Sequence, residues 1–338
     1  MRIAVVGAGV VGMSTAAALV RGGEDVVVFE ASGAVMGERS AGSSRIFRLA
    51  HTAPELVRYA QRARVAFDAW SGRAGSPTLD ASGCVVSGAD AADRARAMAE
   101  AGAKHDLVEV PDGTLGLPAR SLDGPALVDP AGGIVDVDAV RRLLTADAGA
   151  VVRHEQVRSI DEGTVSTPDG IHAADAVVLA AGADTPALAA PAGIDLPRAL
   201  EHHVRFTFAL PDDRPVPAWI DQPARGAPTY QHRTGPGRWS VGATLPSELV
   251  AWENGREAAE AASETALTEY AAERLTVDPA VVDRLYCTHA PGTGDGIVFR
   301  RSGPVLAVYG ENLMKFAPVL GETLAAAARD GSTPPDLG

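Results

Sequence analysis

The chain has 338 residues, 46% of them hydrophobic, and a formal net charge of −13 at pH 7. That is enough apolar material for one large domain or two closely joined ones, and the acidic balance disfavours nucleic acid or an anionic membrane as a partner. No apolar run approaches the roughly 20 residues of a membrane helix, and the two cysteines, Cys84 and Cys287, form neither a disulfide scaffold nor a metal set. A soluble, cytoplasmic, metal-free protein is the expectation.

The first thirty residues carry the strongest pattern. An apolar run, Arg2 to Val6, ends in Gly7-Ala8-Gly9-Val10-Val11-Gly12, followed by a helix-compatible stretch to Arg21, a second apolar run, Val26 to Phe29, and Glu30. Strand, glycine turn, helix, strand and acid make a dinucleotide-binding βαβ unit. Gly7 permits the tight turn, Gly9 lets backbone approach a pyrophosphate, and Gly12 allows close packing of helix on strand. The helix N-terminus offers free N–H groups and a positive dipole end to phosphate. Glu30 can accept both ribose hydroxyls, which argues against NADP and leaves NAD and FAD open.

A polar loop, Ala31 to Ser44, leads into Arg45-Ile46-Phe47-Arg48. Two arginines three apart share one side of a helical turn. Beside a pyrophosphate they are candidates to bind phosphate or carboxylate. Pro54 to Trp70 has the spacing of an amphipathic helix. Gly83 to Val86 reads as a strand, Ala89 to Ala101 as a helix, and Asp138 as the N-cap of a helix from Val140 to Ala148. Val151 to Ile160 and Gly163 to Thr167 read as hairpin-like strands. Ala176 to Ala180 is a buried strand ending at Ala181-Gly182, where backbone runs close to something.

From Val204 to Ala243 four short strands alternate, predicting an antiparallel sheet with turns at Pro211-Asp212-Asp213 and Gly235-Pro236-Gly237. His202 and His203 are adjacent, so they face opposite sides of a strand, which is poor geometry for a shared metal and argues against a histidine cluster. Glu257 to Arg274 is a helix. Arg284 to His289 is a strand that enters Gly292-Thr293-Gly294-Asp295-Gly296. Two more strands lead to the loop Gly310 to Pro318 and a last helix, Val319 to Ala328. Only Lys104 and Lys315 are lysine. Lys315 stands in that loop between apolar Met314 and Phe316, which marks it as a functional candidate.

Taken together, the glycine motif with Glu30, the run Gly42-Ser43-Ser44-Arg45-Ile46-Phe47-Arg48, Ala180-Ala181-Gly182, Cys287 and Gly310 to Pro318 resemble the glycine/D-amino-acid oxidase group of FAD enzymes. The sarcosine oxidase and N-methyltryptophan oxidase branch is the nearest match. The resemblance implies an α/β fold. A discontinuous Rossmann-type FAD-binding domain (1–77, 136–200, 291–338) would interleave with an α+β, antiparallel-sheet substrate domain (78–135, 201–290). It implies FAD held at Gly7, Gly9, Gly12, Glu30, Ser43, Ser44, Arg45, Gly182, Gly310, Asn312, Leu313 and Lys315. Cys287 is either the point of an 8α-thioether bond or a plain core cysteine.

The same resemblance pairs Arg48 with Lys315 on the carboxylate of a small amine substrate. It implies hydride transfer to flavin N5, giving an imine, with reoxidation by oxygen. One departure stands out. Ser240 occupies the place of an oxygen-activating lysine, and Thr244 that of a histidine. These two are candidate catalytic positions that leave the electron acceptor open between oxygen and another partner. An NAD-dependent dehydrogenase and a noncatalytic flavin-binding partner are the competing functions.

Overall fold

The computed structural model describes residues 1–338 apart from Asp212 and Thr293. The expected turn at Asp212 and the middle of the Gly292–Gly296 segment therefore lie outside the described residues. Arg2–Val6 forms a strand because it is a continuous apolar run; Ile3, Ala4 and Val5 are fully buried, as strands covered on both faces require. It pairs in parallel with Asp25–Phe29 on one side and Ala176–Leu179 on the other. The complete sheet has six strands, extended by Val152–Arg153 beyond Asp25–Phe29 and by Val305–Gly310 and Ile297–Ser302 beyond Ala176–Leu179. Ile297–Ser302 alone runs antiparallel to its neighbour.

The opening helix Val10–Arg21 and the closing helix Ala317–Asp330 pack against each other beside this sheet. Gly321 makes that contact possible: a Cβ there would lie 2.6 Å from the Ser14 carbonyl carbon. On the sheet's other face Val6, Phe29, Leu179 and Ala307 pack over Ile160 and Val165 of a three-stranded antiparallel sheet.

A second sheet has eight strands, in the order Asp278–His289, Glu201–Ala209, Arg238–Ala243, Thr229–Gly235, Ala218–Gln222, Cys84–Gly88, Ala126–Asp129 and Asp106–Val108. One pair departs from the expected antiparallel pattern: Ala218–Gln222 runs parallel to Cys84–Gly88. Along Glu201–Ala209 the residues Val204, Phe206 and Phe208 enter a core with Leu267 and Ala271 of the helix Arg256–Arg274. Period-two alternation then turns His203, Arg205 and Thr207 to the opposite face.

Two local expectations are corrected. Ser44–Phe47 is a strand paired with Gly133–Asp136, not a helical turn, because it finds a partner in register. Arg45 therefore lies on the strand and Arg48 just beyond its end, and they join different clusters. The helix expected from Val140 starts earlier, at Val137, and its N-cap is Asp136, whose side chain accepts from Ala139 N at 2.8 Å. Asp138 sits in the first turn and pairs with Arg141. No helix among the described residues is long and apolar enough to cross a membrane, and no group of three or more metal-ligating side chains occurs among them.

Candidate active site

Both sheets line a cavity of about 1000 Å³. One end of it is walled by the first βαβ unit. Gly7 has φ of +99°, and a Cβ there would lie 2.5 Å from the Ala180 carbonyl oxygen, so that turn needs glycine. Gly12 does not line the cavity; a Cβ on it would meet Gly7 O at 1.8 Å, and it serves helix–strand packing. Gly9 caps the opening helix with no side-chain capping bond and no acid in its first turn. Val10 N instead reaches Ser40 Oγ at 3.0 Å. Glu30, at the end of its strand, accepts from Ala8 N at 2.6 Å and Ser32 N at 2.7 Å. Each carboxylate oxygen keeps a lone pair for a further donor. Gly182, with φ of +59°, closes the same wall.

At the other end two basic clusters meet. The first holds Arg45, Arg205, Tyr230, His232 and Cys287, all cavity-lining. Arg45 donates to the carbonyls of Ala41 and Arg39 at 2.5 and 3.1 Å. Burial, with Arg205 beside it, draws its pKa down to about 10, so it remains charged at neutral pH. Burial raises the Cys287 thiol, while Arg205, Arg45 and Arg39 pull the other way. Cys287 lies across from His203 in register, and His203 hydrogen-bonds the Tyr230 hydroxyl. Arg39 and His289 both engage Glu311, whose Oε1 also accepts from Ala290 N at 2.8 Å. This knot ties the Cys287 strand end to the segment after Val305–Gly310.

Ser240 does not line the cavity. It is buried in Arg238–Ala243, cross-strand from both His232 and Thr207. His232 Nε2 lies 3.3 Å from Arg205 Nη1 and 3.0 Å from Ser44 Oγ. Burial and the two arginines hold this imidazole neutral, well below the usual histidine range. Arg205 thus places a fixed cation on the same sheet face as Ser240. Ser44 reaches the cavity only through His232, and exposed Ser43 lies outside the lining. Thr244 is exposed at the cavity rim.

The second cluster is built on the 3₁₀ turn Leu313–Phe316, between Val305–Gly310 and the closing helix. Gly310 packs so tightly that a Cβ would meet Gly296 O at 2.5 Å. Asn312 turns the chain with φ of +56°. Lys315 is only 4% exposed. Its Nζ lies 3.0 Å from Asp295 Oδ1, and Arg48 donates to Asp295 Oδ2. Burial and Arg48 lower the Lys315 pKa to about 7, with Asp295 opposing them. Burial alone would raise the Asp295 carboxyl, but Arg48 and Lys315 hold it well below the usual carboxylate range. No acid occupies the first turn of the closing helix, which leaves its positive end uncompensated locally.

Sequence reasoning missed Arg205, Tyr230, His232, Arg39 and Glu311 as cavity-wall groups, and Asp295 as the partner of Arg48 and Lys315. The alternation His203-Val204-Arg205-Phe206-Thr207-Phe208 held a signal: polar residues recur every second position inside a buried strand. Several buried polar atoms near the cavity lack a partner, among them Tyr309 OH, Thr288 Oγ1 and Arg48 Nε. With the glycine turn, Glu30 and the size of the cavity, they fit a large, polar, hydrogen-bonding cofactor such as FAD.

Comparison with known proteins agrees. A family model described as FAD dependent oxidoreductase (DAO) matches residues 2–327. No curated protein matches. Among solved structures the chain is similar to NikD, an amino acid oxidase of nikkomycin biosynthesis, in its open form. The two share 22% identity, 99% of this chain and 95% of NikD, and a TM-score of 0.82. L-proline dehydrogenase from P. horikoshii shows 17% identity, coverage of 98% and 94%, and a TM-score of 0.76. Glycine oxidase from Geobacillus kaustophilus shows 18% identity, coverage of 97% and 95%, and a TM-score of 0.76.

Proposed function

The chain belongs to the FAD-dependent oxidoreductase (DAO) family and is an FAD enzyme; from that premise we propose that it oxidises the C–N bond of a small amino or imino acid that it holds by its carboxylate. The family match decides between the two nucleotides left open by the glycine motif. We assign residues 1–77, 136–200 and 291–338 to the cofactor domain and 78–135 and 201–290 to the substrate domain.

The observation that carries the substrate reading is the pairing of buried Lys315 with Arg48 at the cavity wall. Two cations in one apolar-flanked recess suit an anion, and Arg48 offers a planar fork to it. Bound FAD supplies the acceptor for a hydride from the carbon next to nitrogen. The protein's part is positional. Gly7, Gly9 and Glu30 hold the nucleotide end, and Arg45, Gly182, Gly310, Asn312 and Leu313 face the remainder. Arg48 and Lys315 fix the carboxylate so that one C–H is aimed at the cofactor. The N-terminus of Ala317–Asp330 favours negative charge gathering next to it.

The first basic cluster supports oxygen as the electron acceptor. Ser240 brings no charge, but Arg205 is 6% exposed and bonded to neutral His232 on the same sheet face. A fixed cation there favours electron transfer to oxygen, with hydrogen peroxide as product. Cys287 lines the cavity, which puts it where a covalent flavin bond would form; Arg205, Arg45 and Arg39 offset only part of the rise that burial imposes on its thiol. The substrate reading is tested by anaerobic mixing with secondary amino acids and their decarboxylated amines. Bleaching by the acids alone supports it; equal bleaching by the amines contradicts it.

A further inference from the structure

The position of Asp295 is unexplained by the roles assigned so far. Its Oδ1 is 3.0 Å from Lys315 Nζ and 3.5 Å from Asn312 Nδ2. Its Oδ2 accepts from Arg48 Nη2 and lies 3.1 Å from His51 Nδ1. The chain's own carboxylate therefore lies between the two cations assigned to the substrate. We propose that Asp295 is a positioning residue of this anion clamp: it stays in place while substrate binds, orients Arg48 and favours the charged form of Lys315. The inference rests on the clamp reading given above.

Three features favour a permanent member over a plug that substrate displaces. Asp295 is held by four donors from two segments, Arg48 and His51 on one and Asn312 and Lys315 on the other, so moving it would strand several groups at once. The donors are also not exhausted. An ammonium has three N–H groups and a guanidinium five; Asp295 engages one on each, and Arg48 Nε is buried without a partner. A second carboxylate can be received beside the first.

Charge balance gives the third. The groups facing Lys315 are Arg48, Arg94 of the helix Ala91–Glu100, His51 and Asp295, with the Phe316 ring 5.3 Å from Nζ. Burial, with Lys315 and Arg48 nearby, holds His51 neutral, with its pKa at about 3. Burial likewise keeps the Cys84 thiol protonated, with its pKa at about 12. Asp129 spends its oxygens on the backbone N–H groups of Leu49, Ala50 and Ala131. Without Asp295 the ammonium would face two guanidinium groups and no bonded carboxylate. Arg48 cannot release a proton, so Lys315 would. The clamp would then fall to a single cation and grip a carboxylate less well.

The chain's two lysines make this directly measurable. With isotope-labelled lysine, FAD-loaded protein shows exposed Lys104 and buried Lys315 as two side-chain signals. Asp295→Asn is expected to lower the Lys315 titration midpoint by about one unit or more. It should weaken benzoate binding about fivefold at pH 7, approaching about tenfold as pH rises. Asp295→Glu should restore both in part; Asp295→Ser repeats the test should the Asn variant not fold. An unmoved Lys315 midpoint with benzoate bound equally or more tightly would overturn the proposal and make Asp295 a displaceable occupant. If wild-type protein binds no benzoate and Lys315→Met changes nothing, the clamp reading itself falls, and this proposal with it.

Discussion

Lys315→Met removes the ammonium while keeping an unbranched apolar stem in a site that is 4% exposed. Losing one partner of a buried, hydrogen-bonded charge pair costs roughly 2–5 kcal/mol, or about 30- to several-thousand-fold in affinity. The pKa of Lys315 lies at about 7, so only about half the molecules carry the charge at pH 7, which discounts the loss by about 0.4 kcal/mol. The variant also leaves Asp295 facing the incoming carboxylate with one fewer cation, which works in the opposite direction. We expect KM for the carboxylated amine to rise about 30- to 300-fold with bound FAD unchanged. Steady-state kinetics alongside the flavin absorbance band measure both. An unaltered KM would refute the clamp, and loss of the flavin would show that Lys315 holds cofactor rather than substrate.

The remaining predictions concern the cofactor, the acceptor and pH. If Cys287 carries the flavin, yellow colour stays with acid-precipitated wild-type protein and passes into the supernatant for Cys287→Ser; colourless wild-type pellets would remove the covalent bond. Arg205→Gln should slow reoxidation by oxygen about 10- to 100-fold, with anaerobic reduction by substrate kept; unchanged peroxide production would deny Arg205 that role. Acid stability follows from buried neutral histidines. Burial lowers His51 from 6.5 to about 3 and His203 from 6.5 to about 4. Between those values the unfolded chain binds more protons than the folded one. Stability is therefore lost as pH falls from 6.5 towards 4, by up to about 1.4 kcal/mol per pH unit for each histidine. Asp295, held below 3.8, adds to the loss further down. Urea unfolding at stepped pH should show the decline; a flat profile across that window would contradict it.

The glycine turn was legible because its demands are local. Gly7 needs positive φ, Gly12 needs no Cβ against Gly7 O, and both can be read from one short stretch. The arginine pair was misread for an equally physical reason. Arg45-Ile46-Phe47-Arg48 has a spacing that a helix would use, yet a partner strand, Gly133–Asp136, extends it. That sends Arg45 towards Cys287 and Arg48 towards Lys315. Asp136 and Asp138 are two residues apart, and only the true first turn shows which one caps it. Arg205 and His232 were visible as polar residues in strands, but their meeting depends on sheet register. Asp295 lay furthest from reach: it bonds Arg48 across 247 positions of sequence, and nothing in Gly294-Asp295-Gly296 announces that partner.

The central claim is that this cavity joins FAD to a carboxylate clamp. Anaerobic titration of the purified protein with a series of secondary amino acids, followed in the flavin absorbance band, tests it most directly. The account predicts a yellow protein that bleaches with at least one carboxylated amine and not with its decarboxylated counterpart. A flavin that no carboxylated amine can reduce would contradict it.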